Sequence, residues 1–417
     1  MLALSAINIY NIRSYGANKQ TEVGYGLKAD RNSGRIEPPA GSTHMDARSE
    51  YLGSVRTLVI KLGTQLLSKR DGALDADFVG AIAGQVAGLK AQGIRVTIVS
   101  SGAIGCGLTE LGLAQRPTDL AKLQAVAAVG QRRLMDVWAD AFASHRLPVA
   151  QLLITRQDID DRTRFLNLRN TIWALHEMNS IPIVNENDSV STAELEKISF
   201  GDNDILAALL SHALRADLLV LLTVVDGLLG ESDRPIGIVR KVREMESLVR
   251  SGKSALGKGG MDSKLNAAQM VTDAGESMII ANGRTERILP RLLAGEELGT
   301  LFAPETARKR SSRSRWISAV RPVGTLVIDH GACKALVQNN KSLLPAGIIK
   351  VSGEFDRGDV VAITDESGKL IARGLSNYNA ADMTTIHGKK TREVREMLAD
   401  AAYDEAVHRD NLIVERN

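Results

Sequence analysis

From Val55 onward, apolar runs of strand length alternate with longer stretches in which apolar positions recur every three or four residues. The runs 55–62 (VRTLVIKL), 95–100 (RVTIVS), 149–153 (VAQLL), 181–184 (IPIV), 218–223 (LLVLLT) and 277–281 (SMIIA) predict strands. Several are apolar at consecutive positions, which implies burial on both faces. Helices are predicted near 76–91, 119–144, 164–179, 204–214 and 262–274. Such alternation predicts an α/β fold, a mainly parallel sheet sandwiched between helices, over residues 55–304.

The pattern changes on either side of this region. Residues 1–54 show little periodicity and many Gly, Ser, Asn and Arg residues, and predict a mostly disordered N-terminal extension. Residues 305–322 contain the basic, Ser-rich stretch ARKRSSRSRW and predict a solvated linker. Over 323–405, short runs such as GTLVI, GIIKVSG and LIARGLS alternate with turn residues and predict a small barrel-like β domain. It ends in a helix near 391–401, and 406–417 is left as a tail. A cut after about Ala303 is therefore expected to leave a folded core.

Composition narrows the function classes. Hydrophobic residues make up 44% and charged residues 24%, which is globular usage, and aromatics at 4% predict an aliphatic core. The net charge of +3 gives no electrostatic ground for wrapping a duplex or coating a membrane. Two distant cysteines, Cys106 and Cys333, and scattered histidines offer neither a disulfide framework nor a metal cage. The longest apolar run, Leu218 to Val225, is far below the ~20 residues of a membrane helix, so no membrane partner and a cytoplasmic location are expected.

Ligands in open α/β sheets bind beyond the carboxyl ends of the strands, and five loops there carry candidate chemistry. VIKLGT places Lys61 at the end of the first strand, although a Lys-x-Gly can equally be a turn. VSSGAIGCG puts Ser101 and Gly102 where a helix begins and backbone N–H groups favour an anion, or where a strand and helix merely pack tightly. IVNENDSV sets Asn185, Glu186, Asn187 and Asp188 directly after a strand, as a pocket for an ammonium group and a carboxylate or as a solvated loop. FGDNDIL brings Asp202, Asn203 and Asp204 to a helix start, and capping accounts for only one of the three. LGKGGMDSK is glycine-rich and leads into a helix carrying Lys264, which suits phosphate oxygens. It is not a P-loop, because no Ser or Thr follows Lys258 and no strand precedes it. Two lysines, carboxylates and two glycine turns are the ingredients of phosphoryl transfer, which needs positioning and charge neutralisation.

In order and spacing, VIKLGT, SSGAIG, NENDSV, GDND, LLT with DGL, and GKGGMDSK resemble the amino acid kinase family, within it the glutamate 5-kinase branch, over about 55–300. Residues 323–405, with LLPAGIIKVSGEFDRGDVVAI and GLSNYNAADM, resemble a PUA domain. The resemblance implies ATP-dependent phosphorylation of the side-chain carboxylate of L-glutamate. It implies that Lys61 and Lys264 flank the transferring phosphoryl group, that Asp204 holds both lysines, and that Ser101, Gly102, Asp188 and Asn203 bind glutamate. Nucleotide contacts would come from Lys61, Thr223, Val224, Lys258, Gly259, Gly260, Met261, Asp262, Ser263 and Lys264. Mg²⁺ would ride on ATP, with no protein metal site. Proline as feedback inhibitor and a homo-oligomer, dimer or tetramer, are likewise implied. The sequence departs from the family pattern at Val224, where an acid is common, at Lys258, where a threonine is common, and in a shortened segment after Gly230.

N-acetylglutamate, aspartate and UMP kinases share the lysines and glycine turns, but NENDSV together with the C-terminal domain favours free glutamate. Over 323–417, twelve Lys and Arg face fourteen Asp and Glu, a balance of −2 that makes RNA an unfavoured partner.

Overall fold

A computed structural model describes residues 44–69, 72–190, 203–230, 234–245, 260–305, 311–398 and 403–415. Strands β1 (Thr57–Leu62), β2 (Arg95–Ser100), β3 (Val149–Ile154), β4 (Ile181–Glu186), β5 (Leu218–Thr223), β6 (Ile238–Val239), β7 (Ser277–Asn282) and β8 (Thr300–Phe302) form one sheet. Their order is β3-β4-β2-β1-β5-β7-β8-β6, and every pairing is parallel except β7 with β8.

The continuous apolar runs lie at the centre of this sheet because both faces are covered. On one face Val59, Leu219 and Leu221 pack with the helices Asn203–Leu214 and Gly260–Asp273. On the other, Leu58, Ile60, Leu218 and Val220 pack with Ala76–Ala91 and Leu120–Ala143. Register brings the strand ends to a common rim, since Leu62 pairs with Ser100 on one side and Leu222 on the other.

Two glycines let a short helix into this rim. Ala103–Glu110 crosses Leu120–Ala143 so closely that a Cβ on Gly107 would lie 1.9 Å from Val126 O, and one on Gly130 would lie 1.8 Å from Ala103 O. Gly102 starts the short helix at φ 108°, a region that L side chains rarely adopt.

Three segment expectations differ from the structure. Part of the presumed N-terminal extension folds: His44–Leu52 is a helix, and Arg48 donates to the carbonyls of Gly237, Glu296, Leu298 and Gly299. An arginine so buried needs all these acceptors, which lie far along the chain and leave no local trace. Within the presumed linker, Ser312–Ala319 is a helix whose Trp316 and Ile317 join the core of the large domain. A cut after Ala303 would remove that helix, contrary to the expectation of a self-sufficient core ending there.

The third difference lies at the C-terminus. β9 (Gly324–Ile328), β10 (Ile348–Ser352), β11 (Val360–Thr364), β12 (Leu370–Leu375) and β13 (Leu412–Val414) make a second, mixed sheet in the order β10-β9-β11-β12-β13. The presumed tail thus supplies an edge strand, and Ala406 and Val407 are core residues of this domain. The helix expected near 391–401 is Thr391–Met397.

Candidate active site

Lys61 shares a strand face with Val59, the face covered by the helix Asn203–Leu214. That helix places Asp204 in its first turn, fully buried. Lys61 Nζ lies 2.6 Å from Asp204 Oδ1, and Lys264 Nζ, from the first turns of Gly260–Asp273, lies 2.9 Å from Oδ2. One buried carboxylate therefore holds two ammonium groups that come from opposite ends of the domain. Burial pushes the Asp204 carboxyl up, but the two lysines and their hydrogen bonds outweigh it and hold the group below its ordinary range. A buried lysine unpaired would be costly, so the carboxylate fixes both cations without neutralising their combined charge.

Beside this bridge lies a run of side-chain amides. Asn203 Nδ2 donates to Ser101 Oγ at 2.7 Å and to Asn185 Oδ1 at 3.1 Å, and Asn185 Nδ2 donates to Gln131 Oε1 at 2.9 Å. The backbone N–H of Glu186 also donates to Asn185 Oδ1, at 2.9 Å. Both amide hydrogens of Asn203 are thereby engaged, so its remaining polar atom is an acceptor. Ser101 Oγ accepts, so its own hydrogen is available to donate. An acceptor and a donor side by side match an ammonium and a carboxylate.

Asp188 is half-buried in the turn after β4. Of the residues expected to meet the nucleotide, Thr223 ends β5 and its carbonyl accepts from Gly283 N at 2.8 Å, while Val224 is exposed. Gly260 O accepts from Lys264 Nζ at 3.2 Å, and the Met261 side chain turns into the core. Asp262 is exposed and Ser263 half-buried on the same helix. Lys258 and Gly259 lie outside the described residues, as does Asp202.

Sequence reading brought Lys61, Lys264, Asp204, Asn203 and Ser101 to one rim, and the structure brings them together. It missed the part played by Asn185 and Gln131. Asn185 stood in a flagged polar cluster, but which of four neighbours turns inward is decided by strand pairing. Gln131 sits mid-helix and carries no local signal.

The sequence profile of the amino acid kinase family matches residues 56–282, and that of the PUA domain matches 324–398. Glutamate 5-kinase of Desulfotalea psychrophila is 42% identical over 379 residues, covering 89% of this chain and 100% of the relative. Glutamate 5-kinase of Acaryochloris marina is 43% identical over 370 residues, covering 86% and 99%. Carbamate kinase from Giardia lamblia, a solved structure, aligns at 19% identity with a TM-score of 0.45, covering 60% of this chain and 99% of that one. The chain belongs to the amino acid kinase family and, within it, groups with the glutamate 5-kinases. A PUA domain follows its kinase domain.

Proposed function

We propose that this chain transfers the γ-phosphoryl group of ATP to the side-chain carboxylate of L-glutamate, giving γ-glutamyl 5-phosphate, the first step of proline biosynthesis. A carboxylate oxygen attacks the γ-phosphorus, the new C–O–P link forms as the bond to ADP breaks, and ADP leaves. Negative charge shifts onto the bridging and equatorial oxygens, and Lys61 and Lys264 meet it from two sides. Asp204 positions both. The observation that carries this reading is their convergence on Asp204 next to Asn203.

In this reading the Asn203 acceptor and Asp188 take the glutamate ammonium group, while the Ser101 hydroxyl and the N–H groups at Gly102 take its α-carboxylate. Thr223, Val224 and the segment 258–264 hold the nucleotide, with Met261 limited to backbone contact because its side chain is in the core. Held by the ATP phosphates, Mg²⁺ would supply screening of their charge. Both Asp204 oxygens face lysines, so the nucleotide phosphates are the better home for the cation.

Proline, the end product and a smaller amino acid, inhibits by competing for the same ammonium and carboxylate groups. The apolar, part-exposed edge strand β3 supports self-association into a dimer or tetramer. The −2 balance of the C-terminal region favours a regulatory or assembly role over RNA binding. No described helix is long and apolar enough to cross a membrane, and we assign the reaction to the cytoplasm, which supplies its ATP.

The test offers glutamate, N-acetylglutamate, aspartate and UMP in turn, following ADP release for each and hydroxamate formation for the carboxylates. Glutamate alone should give both signals. Turnover confined to the other three overturns the assignment.

A further inference from the structure

The amide run beside the active site has a fixed polarity, and one backbone group sets it. The N–H of Glu186 can only donate, so the Asn185 atom it meets at 2.9 Å must be the carbonyl oxygen Oδ1. Asn185 Nδ2 then faces Gln131, which must present its own carbonyl oxygen, Oε1, at 2.9 Å. Asn203 in turn must offer Nδ2 to Asn185 Oδ1, and its second amide hydrogen goes to Ser101 Oγ. Reversing any one amide would set like against like at its own contacts, donor against donor or acceptor against acceptor.

Gln131 is the far end of that run, and it is buried, as is Asn185. Its neighbour Gly130 sits where the helix Leu120–Ala143 touches Ala103 and Gly107, so its backbone is held at a crossing with no room for a Cβ. The helix therefore delivers a fixed acceptor to a fixed point behind Asn185.

We infer that Gln131 is a positioning residue for the amino acid substrate: its Oε1 locks the amide of Asn185, which locks Asn203 with an acceptor to present to the substrate ammonium group. Gln131 touches no reacting group and acts through Asn185. This inference rests on the functional reading above and deepens it. The part it requires of Gln131 is narrow, because a carbonyl or carboxylate oxygen serves and the side-chain NH₂ does not enter.

That narrowness separates it from a structural role. Gln131→Glu keeps the shape and the acceptor but places a carboxyl group in a buried position, so it is the substitution costlier in desolvation. Gln131→Leu is shorter but apolar, so it carries no charge to desolvate, yet it strands Asn185 Nδ2 without a partner. We expect Gln131→Leu to raise the glutamate KM about tenfold, the cost of misorienting one buried polar partner, with kcat and ATP KM within about twofold. Gln131→Glu should keep a near-normal glutamate KM even where its melting temperature falls. If Gln131→Leu does not accumulate in folded form, Gln131→Met takes its place, with the glutamate-dependent rise in melting temperature as a second readout.

A folded Leu or Met variant with unchanged glutamate KM overturns the inference, and so does a Glu variant whose KM rises as much as theirs. A wild-type chain without glutamate-dependent hydroxamate would instead remove the functional reading, and the inference with it.

Discussion

Arg315 is paired with Glu276, both of them buried, although it comes from a stretch whose composition describes a solvated connector. Glu276 immediately precedes β7 and also faces His212 Nδ1 at 3.4 Å, on the helix that carries Asp204 at its other end. The helix Ser312–Ala319 therefore packs into the core of the large domain and is no solvated connector. A chain cut after Ala303 should fail to give a soluble folded protein, whereas one cut after Arg321 should keep glutamate-dependent ADP release. Arg315→Ala should lower stability by about 3–5 kcal/mol in urea, the cost of breaking a buried pair from one side. A stable, active chain ending at 303 would show that the helix is dispensable.

The crossing at Gly107 and Gly130 leaves no room for a methyl group. Gly130→Ala should therefore destabilise by about 1–3 kcal/mol, as overpacking does, and raise the glutamate KM because Ser101 and Gly102 lead into the displaced helix. Urea unfolding and steady-state kinetics check this together. Unchanged values in both would mean that the helices part without cost.

Asp204 gives a pH signature. Its folded pKa lies below the ordinary value, so its contribution to stability is fully present above about pH 4 and is lost as pH falls through the depressed folded value. The difference in urea midpoint between the wild type and Asp204→Asn should be largest near neutrality and shrink below about pH 4. A difference that stays constant, or grows, at low pH contradicts the ion-pair account.

The sheet was legible where its cause is local. β5 opens as a continuous apolar run, β2 and β5 have the bounds predicted, and Ala76–Ala91 shows its 3.6-residue period plainly. β6 and β8 were missed because two or three residues carry no period. Arg48, Arg315 and Trp316 fall in stretches whose composition describes a disordered extension and a solvated linker, because their partners are remote: carbonyls at 237–299, Glu276, and the Ile159 carbonyl. Of the site, the charged residues were legible because they stand at a strand end, as Lys61 does, or in the first turn or so of a helix beside polar or glycine-rich sequence, as Asp204 and Lys264 do. Gln131 was not, because a buried glutamine on an amphipathic helix looks like any polar residue until its partner is placed.

Glutamate and proline share a backbone-like ammonium and carboxylate, so their sites should fail together. Asp188→Ala and Asn203→Ala should each raise the glutamate KM about tenfold or more, since a charged substrate group is then desolvated without its partner. The proline concentration needed for half-inhibition should rise in the same variants. Proline inhibition unchanged in both would separate the effector site from the substrate site.

The central claim is that Lys61 and Lys264, held by one carboxylate, act on the phosphoryl group in flight. It is tested most directly by kcat and glutamate KM in Lys61→Ala and Lys264→Ala, with circular dichroism confirming the fold. A charge aimed at the transition state should cost about 10²–10³-fold in kcat when removed, while glutamate KM moves less than about threefold. A variant that keeps near-normal kcat, or loses activity only through a raised glutamate KM, contradicts the claim for that lysine.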